Sequence, residues 1–402
     1  MTFHPTPYSR RSERRRRCGR AGLTASVRED WGQRPGRRER TLAALSPRLF
    51  SLLQKASWRL RRNPLCHQEV FCVKRLRFLG GRRVEVEEVD LPRPQPGEVL
   101  VRVRASALCG SEMEAFRSPE AATGNPGHEV VGEIADACGH PTLREGARVA
   151  CHAVVGCQRC YWCLRGYELF CENMRGYSNA HAEYVAHAAH HCLPIPDDIT
   201  WDQALMIGGD TVGVAYHAAT RTGVRAGEEA AVLGCGPVGL GCVLLLSFWG
   251  LRVTAVDLVP YRLDLARSLG AVESINAADA DPSDALRSLN DGRGPDLVFD
   301  CAGSPKTLDT ALRSVRKGGT VIVIGERGET PIYPSRDIIH SELRILGSWY
   351  FLRSDFWGMV KETRHGLRPE RLITHRFRLD DAQAAYELMD SGQCGKIAFI
   401  QL

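Results

Sequence analysis

The sequence predicts an α/β protein in two parts, a small β-barrel followed by a doubly wound parallel sheet. Between Phe71 and about Ala150, short β-rich runs such as Glu98–Val103 are broken by Pro92, Pro94, Pro96 and several glycines, which is the punctuation of a small barrel. After about Leu205, strands of four to six apolar residues (Ala230–Leu233, Arg252–Val256, Leu297–Phe299, Thr320–Ile324) alternate with helical stretches, the order that a parallel sheet requires. The last segment carries a helix around Ala382–Met389 and a strand at Lys396–Gln401, and is expected to return to the first part. With 402 residues and 44% hydrophobic content, the chain can bury two cores.

The net charge of +6 loses its meaning once it is divided along the chain. Of 53 Lys+Arg and 47 Asp+Glu, residues 1–68 hold 17 and 4, leaving 36 and 43 for the rest. The globular part is therefore mildly acidic, and a surface that steers nucleic acid is not expected. Residues 1–68, with Arg14–Arg17, Arg37-Arg38 and Arg61-Arg62, are expected to be a disordered basic extension; Leu42, Leu45, Leu49, Leu52 and Leu53 recur at the spacing of a short helix between Thr41 and Leu60. The remaining boundaries are expected at 69–204 for the first domain, rejoined by 346–402, and 205–345 for the nucleotide domain.

The apolar stretch Cys242–Trp249 is far shorter than the roughly 20 residues a membrane crossing needs, so no span is expected. The N-terminus shows no apolar core followed by small residues, and a secretory signal is not expected. Fifteen cysteines, several of them clustered, point to metal sites in a reducing, cytoplasmic setting before they point to disulfides.

The strand Ala230–Leu233 runs into Gly234-Cys235-Gly236-Pro237-Val238-Gly239 and then an apolar helix from Leu240 to Trp249. Gly234 permits the tight turn, Gly236 lets the backbone approach a pyrophosphate, and Gly239 lets helix and strand pack closely. The free N–H groups at the helix start, from Val238 onward since Pro237 has none, would hold the phosphates. A bare glycine pattern also fits a purely structural turn. Asp257, 18 residues after Gly239, favours the nucleotide reading: a carboxylate at the end of the second strand accepts hydrogen bonds from ribose hydroxyls and repels a 2′-phosphate. NAD is thus expected over NADP, with Arg262 added to the cofactor-binding set.

Cys157, Cys160, Cys163 and Cys171 follow C-x2-C-x2-C-x7-C, four thiolates within 15 residues, the donor set of a closed tetrahedral zinc. An iron–sulfur cluster or a nucleic-acid-binding ribbon fits the spacing and the acidic surroundings less well. Cys109-Gly110-Ser111-Glu112 and Gly127-His128-Glu129 each offer a further ligand, but a lone Cys or His is more often a packed core residue.

In their order along residues 71–402, these motifs, with Val130-Val131-Gly132 after Glu129 and with Gly395-Lys396 near the end, resemble those of the medium-chain zinc-dependent alcohol dehydrogenases, including the polyol and threonine dehydrogenases. The resemblance implies a GroES-like β-barrel catalytic domain and a Rossmann cofactor domain, and two zincs per chain. It implies Cys109 and His128 as catalytic zinc ligands, with Asp210 as the matching third, although on local sequence Asp210 equally suits a helix cap. Ser111 matches the hydroxyl that takes the substrate proton, and Glu129 a carboxylate near the zinc, which on sequence alone equally reads as a strand-end charge. Zinc with an open fourth position lowers the pKa of a bound alcohol so that hydride can leave for NAD.

The pattern departs at Glu112 and Glu114, where the family usually carries Asp and often His, and at Asn179-Ala180-His181-Ala182-Glu183-Tyr184. Glu112 is expected still to orient a ligand histidine, Glu114 not to relay a proton, and His181 to lie on the surface rather than replace the relay. Two rival classes are a non-catalytic nucleotide-binding relative, disfavoured by the complete ligand set, and a nucleic-acid-binding protein using the Arg-rich tail and the four cysteines. The expected partners are a small-molecule alcohol and further copies of the chain, as homodimer or homotetramer by resemblance, with neither nucleic acid nor membrane. Trp349, Tyr350 and Phe351 are candidates for the substrate wall or the subunit contact; which alcohol is used is not written in the sequence.

Overall fold

The computed structural model describes residues 60–62 and 69–401. The disordered extension and the helix expected between Thr41 and Leu60 otherwise lie outside the described residues. Leu60–Arg62, within the expected extension, instead forms a strand antiparallel to Glu69–Phe78, which pairs in turn with Val84–Asp90.

A seven-stranded sheet follows, in the order Cys192–Pro194, Arg148–Cys151, Glu129–Asp136, Glu98–Ala107, Lys396–Ile400, Ile373–Phe377, with Tyr184–Ala188 also on Glu98–Ala107. Glu98–Ala107 alternates as a two-faced strand must: Val99, Val101 and Val103 pack with Val130, Ile134 and Val149, whereas Leu100 enters a separate cluster with Phe71 and Tyr184. The C-terminal strand returns as expected, with Ala398 opposite Ala107. This return brings Lys396 to the start of strand Glu129–Asp136.

The second sheet is wholly parallel, in the order Glu273–Asn276, Arg252–Asp257, Glu229–Leu233, Leu297–Asp300, Thr320–Val323, Arg344–Gly347. Its central strands are apolar because helices cover both faces. The chain winds outward from Glu229–Leu233 in one direction and resumes on its other side at Leu297–Asp300, which creates a crevice at the strand ends. The two edge strands, Glu273–Asn276 and Arg344–Gly347, escape the sequence reading, since half-solvated edges lack the continuous apolar run. The helix after the glycine turn starts at Pro237 rather than Leu240, with proline at its first turn, where no intrahelical N–H bond is lost.

Candidate metal centre and nucleotide crevice

Cys109 lies two residues past strand Glu98–Ala107, and His128 immediately precedes strand Glu129–Asp136. These strands pair antiparallel with Ala107 opposite Glu129, so their register alone sets Cys109 and His128 side by side. Asp210 is the first residue of helix Asp210–Thr220 and does not cap it: Gly209 holds the cap position, and the Asp210 carboxylate turns to the other two residues. Its Oδ2 lies 3.0 Å from His128 Nε2 and 3.2 Å from Cys109 Sγ. Its Oδ1 is buried with no hydrogen-bond partner. A tetrahedral zinc with bonds of about 2.0–2.3 Å sets its donors about 3.3–3.8 Å apart, close to the spacing found here. An orphaned carboxylate oxygen beside a thiol and an imidazole fits a cation better than it fits a finished hydrogen-bond network.

The electrostatics agree. Burial opposes charge on both partners, yet the His128 imidazole holds Asp210 down to about 2, and Asp210 holds His128 well above its ordinary value. Burial, and then the Asp210 charge, push the Cys109 thiol up. A cation would lower the His128 and Cys109 values and keep Asp210 ionised. The His128 Nδ1 faces the carbonyl of Pro126 at 3.0 Å and donates to it, so Nε2, toward Asp210, is the nitrogen left to ligate a metal once it sheds its proton.

Glu129 completes this group, and all four donor atoms lie within 4.8 Å of one another. It is not a solvated strand-end charge. Its Oε1 accepts from Lys396 Nζ, and its Oε2 accepts the N–H of Asp210 at 3.2 Å. Burial lifts its carboxyl to about 7 despite Lys396. Ser111 is exposed at the start of helix Glu112–Arg117, and Glu114 is also exposed.

Two expectations fail. Glu112 does not orient the ligand histidine: one oxygen accepts the N–H of Cys109 at 2.9 Å, the other His181 Nε2 at 2.9 Å and the Tyr386 hydroxyl at 2.5 Å. Glu is one methylene longer than Asp, and that reach carries the carboxylate past His128. His181 is not on the surface but fully buried, its Nδ1 2.8 Å from Ser106 Oγ. Of the three aromatic candidates, Trp349 is exposed, and the fully buried Phe351 packs on Gly213. Tyr350, in the left-handed region at φ 54°, lies edge-on to His152 with ring centroids 5.1 Å apart. Burial and then the Asp210 charge push its phenol up, which sets it near the cluster.

Cys157, Cys160, Cys163 and Cys171 also bring their sulfurs within 4.8 Å of one another. Gln158, inside the first C-x2-C, takes the left-handed turn at φ 62° that folds the thiols together. The N–H groups of Cys157 and Asn173 donate to Cys171 Sγ at 3.2 and 3.3 Å. The Arg159 backbone N–H draws the Cys157 thiol down to about 6, while burial pushes Cys163 to about 12. Four soft donors without another acid–base role fit a closed thiolate metal site.

In the glycine turn, Gly234 has φ +90°, and a Cβ on Gly239 would sit 1.9 Å from the Gly234 carbonyl oxygen. Asp257 ends its strand as expected, with Oδ2 accepting the N–H of Cys235 at 2.6 Å and Oδ1 those of Leu258 and Val259 at 2.8 and 2.9 Å. Arg262, on helix Pro260–Ser268, has its Nε buried without a hydrogen-bond partner. Beyond the ends of the neighbouring strands lies a cavity of about 290 Å³, lined by Asp300, Gly303, Gly325 and Arg327 among others. The sequence reading missed Asp300, fully buried with Oδ2 lacking a hydrogen-bond partner; its signal was an acid closing an apolar strand. It also gave no role to Lys396.

A dinucleotide-type crevice and two clusters of residues that could hold a metal, each containing thiols, are the features of a zinc-dependent dehydrogenase. Residues 95–197 match the alcohol dehydrogenase GroES-like domain, and residues 237–364 match the zinc-binding dehydrogenase domain. The chain belongs to the medium-chain zinc-dependent alcohol dehydrogenase family. It is 32% identical over 343 residues to the uncharacterized zinc-type alcohol dehydrogenase-like protein YphC of Escherichia coli K12, covering 79% of this chain and 96% of that one. It is 31% identical to an L-threonine 3-dehydrogenase of Bacillus licheniformis, over 80% and 96% of the two chains. Among solved structures, alcohol dehydrogenase TADH from Thermus sp. ATN1 superposes with a TM-score of 0.75 at 29% identity, over 81% and 99%. The family is one of oxidoreductases that act on CH–OH groups with zinc and a nicotinamide dinucleotide.

Proposed function

We propose that this chain oxidises a secondary alcohol or polyol reversibly with NAD, at a zinc held by Cys109, His128 and Asp210. The observation that carries the reading is the buried, unpartnered Asp210 Oδ1 beside the Cys109 thiol and the His128 imidazole. When bound, zinc supplies Lewis-acid polarisation of the substrate hydroxyl, and NAD a hydride acceptor.

The protein's own residues do the rest. Cys109 would hold the zinc as a thiolate, and the Pro126 carbonyl, accepting from His128 Nδ1–H, leaves Nε2 as the nitrogen that would ligate it. Ser111 Oγ takes the proton of the substrate hydroxyl and, being exposed, passes it to water. Glu129 stays outside the ligand set, fixed by Lys396, and holds the N–H of Asp210. Cys157, Cys160, Cys163 and Cys171 hold a second, structural zinc. Gly234, Gly236, Pro237, Val238 and Gly239 receive the pyrophosphate, and Asp257 the adenosine ribose, with Arg262 beside it.

The catalytic part spans 69–204 and 346–402, and the cofactor part 205–345. Strand Arg344–Gly347 is paired on one side only among the described strands, and Ile339 and Trp349 are exposed in its flanks. That edge supports a homodimer or homotetramer. No helix among the described residues is long and apolar enough to cross a membrane. Clustered thiolate ligands support a reducing, cytoplasmic setting.

Metal analysis giving two zincs per chain, with NADH formed from a panel of polyols, amino alcohols and simple alcohols, tests the reading. One zinc per chain and no NADH from any of them would sink it.

A further inference from the structure

Glu112, His181 and Tyr386 come from three distant stretches of the chain and meet with 0% exposure each. The carboxylate of Glu112 takes three donors there: the Cys109 N–H, His181 Nε2–H and the Tyr386 hydroxyl. Two of these come from side chains 69 and 274 residues away, and the third belongs to a proposed metal ligand. The His181 ring lies against the backbone just before the other histidine: a Cβ on Gly127 would fall 2.4 Å from His181 Cδ2. Asn125 laces the two segments together, its Oδ1 accepting the N–H groups of Gly127 and His181, both at 3.2 Å. The Ala180 N–H adds a bond to the Gly127 carbonyl at 3.0 Å.

We propose that Glu112 and His181, steadied by Tyr386, are positioning residues that hold the Cys109 and His128 segments at the spacing their metal requires. The proposal rests on the assignment of Cys109, His128 and Asp210 as ligands. A buried ionic network is weak ground for stability alone, because well-packed apolar residues of the same volume serve as well or better. What such a network fixes is geometry. Charge-assisted bonds are short and directional, and here one oxygen of the carboxylate grips the Cys109 segment while the other grips the ring that abuts Gly127.

The test uses the full chain reconstituted with cobalt(II). The thiolate-to-cobalt absorption in excess of that of a Cys109→Ser protein, which keeps only the four-cysteine site, reports the Cys109 site, and chelator competition gives its affinity. Glu112→Gln and His181→Phe are each expected to weaken this site by about 10–100-fold and to lower kcat, with the four-cysteine site and the KM for NAD unchanged. Because the two act as a pair, the double variant is expected to be no weaker than Glu112→Gln alone. His181→Gln, which keeps an N–H donor, is expected to recover much of the loss in His181→Phe. Should the larger changes prevent folding, Tyr386→Phe deletes one hydroxyl at constant shape and is expected to weaken cobalt binding several-fold. Variants that bind cobalt as tightly as the wild type, whatever their melting temperature, would overturn the positioning role. A wild type that binds cobalt only at the four cysteines would instead overturn the ligand assignment, and the positioning role with it.

Discussion

Lys396 donates its ammonium to Glu129 at 1% and 0% side-chain exposure, joining residues 267 positions apart. A charge pair so far from water is worth little net against an apolar pair, but breaking one side is costly, because it strands the other charge. Lys396→Met is therefore expected to destabilise the fold by about 3–5 kcal/mol. Adding Glu129→Gln should restore most of that. Urea unfolding of the two variants checks it, and a Lys396→Met protein as stable as the wild type would rule out the buried pair.

Asp210 is expected to be required for metal and not for capping. A lost cap costs about 1 kcal/mol and leaves metal content alone. Asp210→Ala should drop zinc from two to about one per chain, and Asp210→Asn should bind the catalytic zinc far more weakly, because an amide is an uncharged and poorer donor. Full zinc and near-normal turnover in Asp210→Asn would hand the third position to Glu129, whose carboxylate lies in the same group.

The two clusters should fail differently. Cys160→Ser is expected to lower the melting temperature or solubility, since a closed site contributes folding energy. Cys109→Ser should abolish turnover while the fold and NAD binding persist. Calorimetry with metal analysis separates the two, and a Cys160→Ser protein with both metals and full stability contradicts the structural assignment.

Asp257→Ala is expected to weaken NAD about 10–100-fold, the scale of lost hydrogen bonds to a charged group, and to weaken NADP much less. The carboxylate also holds the N–H of Cys235 in the glycine turn. Equal losses for both cofactors in steady-state kinetics would mean that it acts only through the turn.

His187 is fully buried, its Nε2 3.1 Å from the His152 carbonyl, and burial lowers its pKa to about 3. The unfolded chain takes this proton near pH 6.5, the folded chain only near 3, so between those values the unfolded state binds more protons and stability rises with pH. Going from pH 7 to pH 5 should therefore cost about 2 kcal/mol at this residue. His187→Gln, which keeps an N–H donor but cannot titrate, should flatten that limb in unfolding curves at the two pH values.

Most of the architecture was legible because it is local. The four cysteines lie within 15 residues and the glycine turn within six, so the chain between them holds little conformational freedom, and spacing alone implies a cluster or a turn. Apolar strands buried on both faces announce themselves by their runs. The edge strands Glu273–Asn276 and Arg344–Gly347 do not, since one side of each meets solvent or loop.

By itself, then, the sequence determined the two-part α/β fold, the four-thiolate cluster, the glycine turn with Asp257, and, through their motifs, Cys109, His128 and Asp210 as a candidate ligand set. Tertiary structure decided where the side chains of that set and its surroundings point. It turned Asp210 from a possible cap to His128 and Cys109, set Lys396 on Glu129, and sent Glu112 past His128 to His181 and Tyr386. These partners stand 69 to 274 residues apart. No local pattern encodes such pairs, because their encounter is set by strand register and by the returning C-terminal segment. Buried charges then take whichever donors that packing brings within reach, since leaving them unpaired costs more than any local preference.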